Sequence, residues 1–485
     1  MSEADAGMSE ADAGMSESAG MSEAEAGSGR ITAASCLGML VVGANGTAIM
    51  AALPTMRRDL GLGPAELEWA VNAYLLASAA CIILGGKAAD RVGARLVAVA
   101  GLLLFALASC LIAASGGPLA LLAGRTLQGL GAAFAVPGTL AAISAAASPE
   151  RRAAAIGAWA GALMLGFSLG PLIGGALTHA LGWRALFGAN ALALLVAAII
   201  LVSAGALRLP PRGSLLRGFD GPGFLSLATG MVALIFALRG LGEARDSPLG
   251  LAVPLAVALA SLALFRRTER HRADPLVDLR LLAVPDFLRA VGTGAVAMFC
   301  ILPLLLYFNL DAQAARGLGL SPIGAGLALL PLSAGLFGLA LLAPRLSGRF
   351  GPRRVVGAAM LLIVAACAGL AAAAAARSLA GLGIGLLLIG AGLALPYATA
   401  PRLALAALPA GQAGQSSGLV NACTFLGGSL GITLGGLAYG AGGLPGVMAL
   451  LGAAALLGAG LARNLPEPPV PSVSPAALAG TGQSP

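Results

Sequence analysis

Residues 85–116 read GGKAADRVGARLVAVAGLLLFALASCLIAASG. Charge gathered between Lys87 and Arg95 gives way at Leu96 to a run with no charged side chain, long enough for one helix to cross a hydrocarbon layer of about 30 Å. The same alternation fills the chain. Of 485 residues, 58% are apolar and only 10% charged, and the charges fall between apolar blocks of helix length. A water-soluble core has no use for so much uninterrupted apolar surface, so lipid must solvate much of it. The blocks predict an all-α polytopic membrane protein with spans over 33–54, 67–86, 96–116, 119–143, 153–175, 184–205, 220–238, 249–265, 287–308, 320–341, 355–375, 378–399, 417–438 and 443–462, fourteen in all.

Positive residues set the direction, because short cytoplasmic loops hold the Lys and Arg excess. With the N-terminus inside, the inner loops receive Lys87, Arg91, Arg95, Arg151, Arg152, Arg208, Arg212, Arg217, the arginines from Arg266 to Arg280, Arg345, Arg349, Arg353, Arg354, Arg402 and Arg463. The outer loops receive Arg57, Arg58, Arg184, Arg239, Arg245, Arg316 and Arg377, diluted by Asp59, Glu66, Glu68, Glu243, Asp246 and Asp311. Both termini are therefore expected in the cytoplasm, with an even number of spans. Twelve is the rival count, and 220–238 and 249–265 are the weakest segments.

The net charge of +8 is spread over short loops, whereas a nucleic-acid-binding surface gathers it on one soluble face. Nucleic acid is thus not an expected partner, and the lipid bilayer is. The cysteines lie in apolar helix without a CxxC pair, and the histidines are only His179 and His271. Neither a disulfide framework nor a metal or other cofactor is expected. Residues 1–30 repeat MSEADAG and its variants, acidic and of low complexity, which predicts a disordered tail. Residues 31–206 read as a six-helix bundle, 207–219 as a polar cytoplasmic linker, 220–265 as two additional helices and 266–286 as a cytoplasmic loop. A second six-helix bundle over 287–463 and a disordered Pro- and Ser-rich tail over 464–485 complete the chain. The charged loop at 85–95 has a weaker echo at 344–354, PRLSGRFGPRR. Repeated bundles rocking about a central site are a common transporter design.

Four stretches carry chemistry. In the first loop, Gly85, Gly86 and Gly93 permit close approach, Asp90 offers an acceptor, and Lys87, Arg91 and Arg95 offer donors; this is either a clasp between bundles or a tight turn with inside-positive charge. Arg125, Gln128, Gly129 and Gly131 open the fourth span. An arginine inside an apolar segment is expensive, so Arg125 either snorkels outward or serves a buried network. The fifth span holds Gly166, Gly170, Pro171, Gly174 and Gly175. Gly170 and Gly174, four apart, suit a close helix contact and are expected at a moving interface between bundles, with Gly175 on another face. Polar residues within apolar helices, Asn45, Thr47, Asn72, Tyr74, Gln128, Tyr307, Asn309, Asn421 and Thr424, are candidates for a cavity lining, and each could equally close a helix contact.

These strings resemble motifs of the major facilitator superfamily. Residues 85–95 are similar to its loop signature G-x-L-x-D-R-x-G-R-R/K, with Ala88 in the leucine place and Ala94 before Arg95. Residues 125–131 resemble R-x(2)-Q-G-x-G. Residues 166–175 look like the antiporter motif G-x(3)-G-P-x(2)-G-G of drug-exporting members. Asn45, Thr47, Ala52, Leu53, Pro54, Asp59 and Leu60 resemble the opening signature of the fourteen-span drug:proton antiporters, which usually carry aspartate at the place of Asn45 and asparagine at that of Met50. Pro401, Arg402, Gly411, Gly418, Asn421 and Gly427 also look family-like. The likeness spans about residues 31 to 463.

The resemblance implies a transporter, not an enzyme, that exports drugs, antibiotics or secondary metabolites by alternating access in exchange for protons. It implies a monomeric transport unit in a bacterial inner membrane, a setting that the 71 glycines fit as the mark of a high-GC genome. Gly86, Lys87, Asp90, Arg91, Gly93 and Arg95 would form the cytoplasmic gate. Arg125, Gln128, Gly166, Gly170, Pro171, Gly174 and Gly175 would serve coupling and gating. Asn45, Thr47, Asn72, Tyr74, Tyr307, Asn309 and Asn421 would meet a small-molecule substrate. Asn45 cannot ionise, which leaves a nutrient or metabolite importer of the same fold as the alternative. The proton site is expected at neither Asn45 nor any mid-membrane carboxylate; Asp90 and Asp311 are peripheral candidates.

Overall fold

The computed structural model describes residues 3–204, 220–243, 247–272, 275–315, 317–376, 378–408 and 413–466. The predicted linker at 207–219, together with Arg245, Asp246, Arg316, Arg377, Gly411 and the tail beyond residue 466, lies outside them. Among the described residues the chain is helical throughout, apart from short joins. The helices are α1 (Glu3–Leu60), α2 (Pro64–Val92), α3 (Ala94–Ala113), α4 (Pro118–Ala146), α5 (Pro149–Leu181), α6 (Trp183–Ser203), α7 (Gly221–Glu243), α8 (Pro248–Arg270), α9 (Pro285–Gln313), α10 (Pro322–Ala328), α11 (Leu330–Phe350), α12 (Pro352–Ala375), α13 (Leu379–Ala406) and α14 (Ala413–Ala462).

Local chemistry sets many of these boundaries. Pro64, Pro118, Pro149, Pro248, Pro285, Pro322 and Pro352 stand at helix starts, where the missing N–H costs nothing and the fixed φ is already helical. Gly93 joins α2 to α3 at φ 107, and Gly351 joins α11 to α12 at φ 81. Side chains rarely adopt that left-handed region. The two glycines sit in the loop at 85–95 and in its echo, so the sequence repeat is also a repeat of turn geometry. α1 extends back to Glu3 through the acidic repeat that was expected to lack structure; Ala, Glu and Met are strong helix formers.

Among the described residues, thirteen helices are long and apolar enough to cross a membrane, counting α10 and α11 as one. The last of them, Gly418–Ala462, has 45 residues, or roughly 68 Å at 1.5 Å per residue, about twice a bilayer core. It breaks at Gly442 (φ −148°, ψ 17°) and Gly443 (φ 60°, ψ −152°), giving two crossing-length limbs where the sequence predicted separate spans.

α1–α6 form one bundle and α9–α14 a second. In the first, α1 lies along α5, α3 along α4 and α2 along α4; in the second, α9 lies along α14 and α11 along α13. Glycine makes these crossings close. A Cβ at Gly138 would stand 2.6 Å from the Ala98 nitrogen, and one at Gly131 2.7 Å from that of Phe105; without Cβ atoms the backbones pack directly, which is how helices gain contact in lipid. α7 and α8 pair with each other, and α7 also touches α2 and α14. α8 turns Leu249, Val253, Leu259 and Leu264 outward, an apolar surface that suits lipid and not water.

Candidate functional site

Arg125, Gln128 and Gly129 share one face of α4, at spacings of three and four. Arg125 is fully buried. Its Nε donates to the Ala70 carbonyl on α2 at 2.7 Å and its Nη1 to Gln128 Oε1 at 2.7 Å. Gln128 Nε2 donates in turn to Ser109 Oγ on α3 at 2.8 Å. The guanidinium carbon lies 4.6 Å from the Tyr74 ring centroid, a cation–π arrangement. Snorkelling is thus excluded: the charge is held inside the first bundle by α2, α3 and α4. Gly129 allows this, since a Cβ there would meet Ala77 at 2.8 Å, and Ser78 Oγ donates to its carbonyl at 3.1 Å.

The glycines of α5 divide between two neighbours. Cβ atoms at Gly166, Gly170 and Gly174 would collide with backbone of Leu40, Ala44 and Ala48 on α1, so these residues seal a contact within the first bundle. Gly175 is the one that faces the second bundle, against Pro322 and Ile323. The expected face separation holds, but the assignment of the faces is reversed. Pro171 belongs to the same seam: a Cβ at Gly326 would stand 2.7 Å from its carbonyl. At 3.6 residues per turn, Gly157, Gly161, Ser168, Pro171 and Gly175 form one stripe. Near Gly175 that stripe touches the second bundle, and Ser333 Oγ donates to the Ser168 carbonyl. Toward Gly157 and Gly161 a Cβ would meet nothing within 4 Å. Along α5 the bundles therefore meet at the end of the α5–α6 join and part toward the end bearing Gly93 and the basic loops. α2 and α14 stay together along their length, from Asn72 and Thr433 to Ile83 and Gly418.

The charged loop reaches beyond its bundle. Lys87 Nζ donates to the Pro275 carbonyl at 2.7 Å, in the loop between the two additional helices and the second bundle. Arg95 donates to Ala204 at the end of α6, at 3.2 Å. Asp90, Arg91 and Gly93 are exposed and Gly86 is half-buried. One arm of the clasp thus runs through the loop at 266–286.

The predicted cavity residues hold partners in different places. Asn45 accepts from Asn190 Nδ2 on α6 at 2.9 Å. Thr47 Oγ1 donates to the Phe167 carbonyl at 2.9 Å. Asn309 donates to Leu305 in its own helix, and Thr424 to Val420. Asn72 crosses the seam, donating to Thr433 Oγ1 at 3.0 Å and accepting from Ser429 Oγ at 2.9 Å. Tyr307 donates to the Ile432 carbonyl at 2.8 Å. Asn421 is half-buried on α14. Tyr74 lies beneath Arg125, and Phe167 of one bundle stacks on Tyr397 of the other at 6.4 Å.

Sequence reading missed three features. Glu68, assigned to an outer loop, lies inside α2 with 13% of its side chain exposed; Pro64 as a helix-starting proline is the signal that places it. Asp311 lies within α9, not beyond it. Asp220 caps α7 by accepting from the Gly223 amide at 2.9 Å and pairs with Arg272, while Glu269 accepts from the Val277 amide at 3.0 Å. These two buried carboxylates fold the loop at 275–283 onto α7 and α8, which presents Pro275 to Lys87.

The model of the Major Facilitator Superfamily matches residues 35–432 and again 287–484. The chain is 32% identical over 422 residues to a tetracenomycin C resistance and export protein of Streptomyces glaucescens, covering 83% of this chain and 74% of that one. It is 33% identical over 414 residues to a puromycin resistance protein of Streptomyces alboniger, covering 81% and 78%. Among solved structures, a D-xylose-proton symporter superposes with a TM-score of 0.67 at 16% identity, over 90% of this chain and 98% of that one; such low identity speaks for the fold alone. With two bundles, a buried Arg–Gln pair and family relatives across four-fifths of its length, the chain belongs to the Major Facilitator Superfamily and is a multi-pass membrane transporter.

Proposed function

We propose that this transporter exports drugs, antibiotics or secondary metabolites from the cytoplasm of a bacterium, in exchange for protons and as a monomeric unit in the cytoplasmic membrane. The observation that carries the reading is its identity of 32–33% to resistance and export proteins over more than 80% of the chain. Inside-positive charge then puts the basic loops in the cytoplasm, so the parting of the bundles along α5 opens inward. Substrate enters from that side, the bundles close over it through the Lys87 loop, and they reopen at the other end. A chain that spends a proton gradient on this cycle binds its proton and its substrate in competing states.

Expression in a host stripped of its major efflux pumps tests the direction. Raised tolerance to members of an antibiotic panel, with lower accumulation inside the cell, is expected. Unchanged tolerance together with faster uptake of a single solute would assign an importer instead.

A further inference from the structure

Glu68 lies in the second turn of α2, at the end away from the basic loops, within the seam where the bundles touch. Arg239 of α7 is its nearest cation, with Nε 3.9 Å from Oε2. That is an ion-pair distance too long for a hydrogen bond, and Oε2 has no hydrogen-bond partner among the described residues. α7 is held beside α2 here by Phe236, whose ring lies tilted against that of Trp69 with centroids 4.8 Å apart. The second bundle presses from the other side. A Cβ at Gly436 would stand 2.8 Å from the Tyr307 hydroxyl and would collide with Glu68 Oε1, so carboxyl and phenol crowd the same glycine. The Tyr307 hydrogen is already given to the Ile432 carbonyl at 2.8 Å. That hydrogen is therefore not available to a carboxylate at Glu68. Tyr439 stacks on Tyr307 at 5.2 Å, Asp311 lies beside Tyr439, and Arg57 is a cation near them.

A carboxylate in this place is largely withdrawn from water, leaves Oε2 without a hydrogen-bond donor among the described residues and holds its cation at arm's length. A carboxylic acid suits the same place better, because a neutral group is far cheaper to bury. When the seam parts, Tyr307 and Gly436 leave with their bundle and water returns to Glu68. We propose that Glu68 is the proton-binding group of this seam: it takes one proton from the aqueous phase at this end as the bundles close over it, and returns that proton to water when they part. No other bond forms or breaks. Its consequence for transport rests on the export reading above, since in a carrier such a group makes acid on that side drive closure there; the binding of the proton does not rest on it.

A purely structural Glu68–Arg239 pair makes the opposite prediction for the neutral isostere. Amide hydrogen exchange of the full chain in lipid nanodiscs, corrected for the intrinsic pH dependence of exchange, reads closure as protection of residues 64–72 and 430–440. Protection in the wild-type protein should rise as pH falls, by about tenfold for each unit by which closure changes the proton affinity. Glu68→Gln should stay protected at every pH, and Asp311→Asn should keep the wild-type response. Protection that ignores pH in the wild type, a response that survives Glu68→Gln, or loosening of that variant at every pH would each overturn the proposal. A pH response that depends on Glu68, in a protein that moves no solute against a pH gradient, would uphold it and remove the export reading.

Discussion

Arg125 shows how an apolar helix tolerates a full charge. Its desolvation is offset by a backbone carbonyl, a side-chain amide and an aromatic face, all from the same bundle, so the charge stays put while the bundles move. Gln128 is the weak point, because it links Arg125 to Ser109 and no other side chain among the described residues takes over its role. Gln128→Ala should destabilise the protein by about 1.5–3 kcal/mol, the worth of a hydrogen bond to a charged group, seen as a lower thermal unfolding midpoint in detergent. Arg125→Lys keeps the charge and loses the fork that reaches Ala70 and Gln128 together. Transport should fall by about tenfold, the equivalent of one such bond, at normal membrane abundance; wild-type transport in this variant would show that the charge alone suffices.

At the scale of helices, α5 carries two contacts with different duties. Leucine at Gly170 or Gly174 would drive side-chain volume into the α1 backbone, and overpacking of this kind costs about 1–3 kcal/mol even where neighbours can yield. Membrane abundance of Gly170→Leu and Gly174→Leu should drop. Gly175→Leu should insert at normal abundance and fail to transport, since its clash with Pro322 exists only while the seam is shut. Equal abundance in all three would contradict this division. The sequence made most of these elements legible, since apolar blocks, helix-starting prolines and the loop repeat each act locally. It could show that Gly170 and Gly175 lie on different faces, because helix periodicity is local too. Which neighbour each face meets depends on how six helices pack, and no spacing within α5 encodes that. Glu68 was misplaced for a related reason: a charge one turn inside a helix looks like a loop residue until the helix start is fixed at Pro64.

For the whole molecule, the closed seam near Gly175 and Asn72, the parting toward Gly157, and the Lys87 contact with Pro275 describe one arrangement of two bundles joined by a pair of additional helices. α7 touches both α2 and α14, so it lies across the seam that must open when the carrier turns outward. The buried Asp220 and Glu269 tie its basic end to the loop that Lys87 grips, which makes the additional helices part of the moving frame. Exchange of a solute for protons is the claim on which the account turns. Everted membrane vesicles carrying the protein, incubated in an antibiotic panel under an imposed gradient with the acid inside, measure it directly. The account predicts that at least one compound accumulates in the vesicles and leaks back when a protonophore collapses the gradient; accumulation that persists after collapse, or net movement the other way, would contradict it.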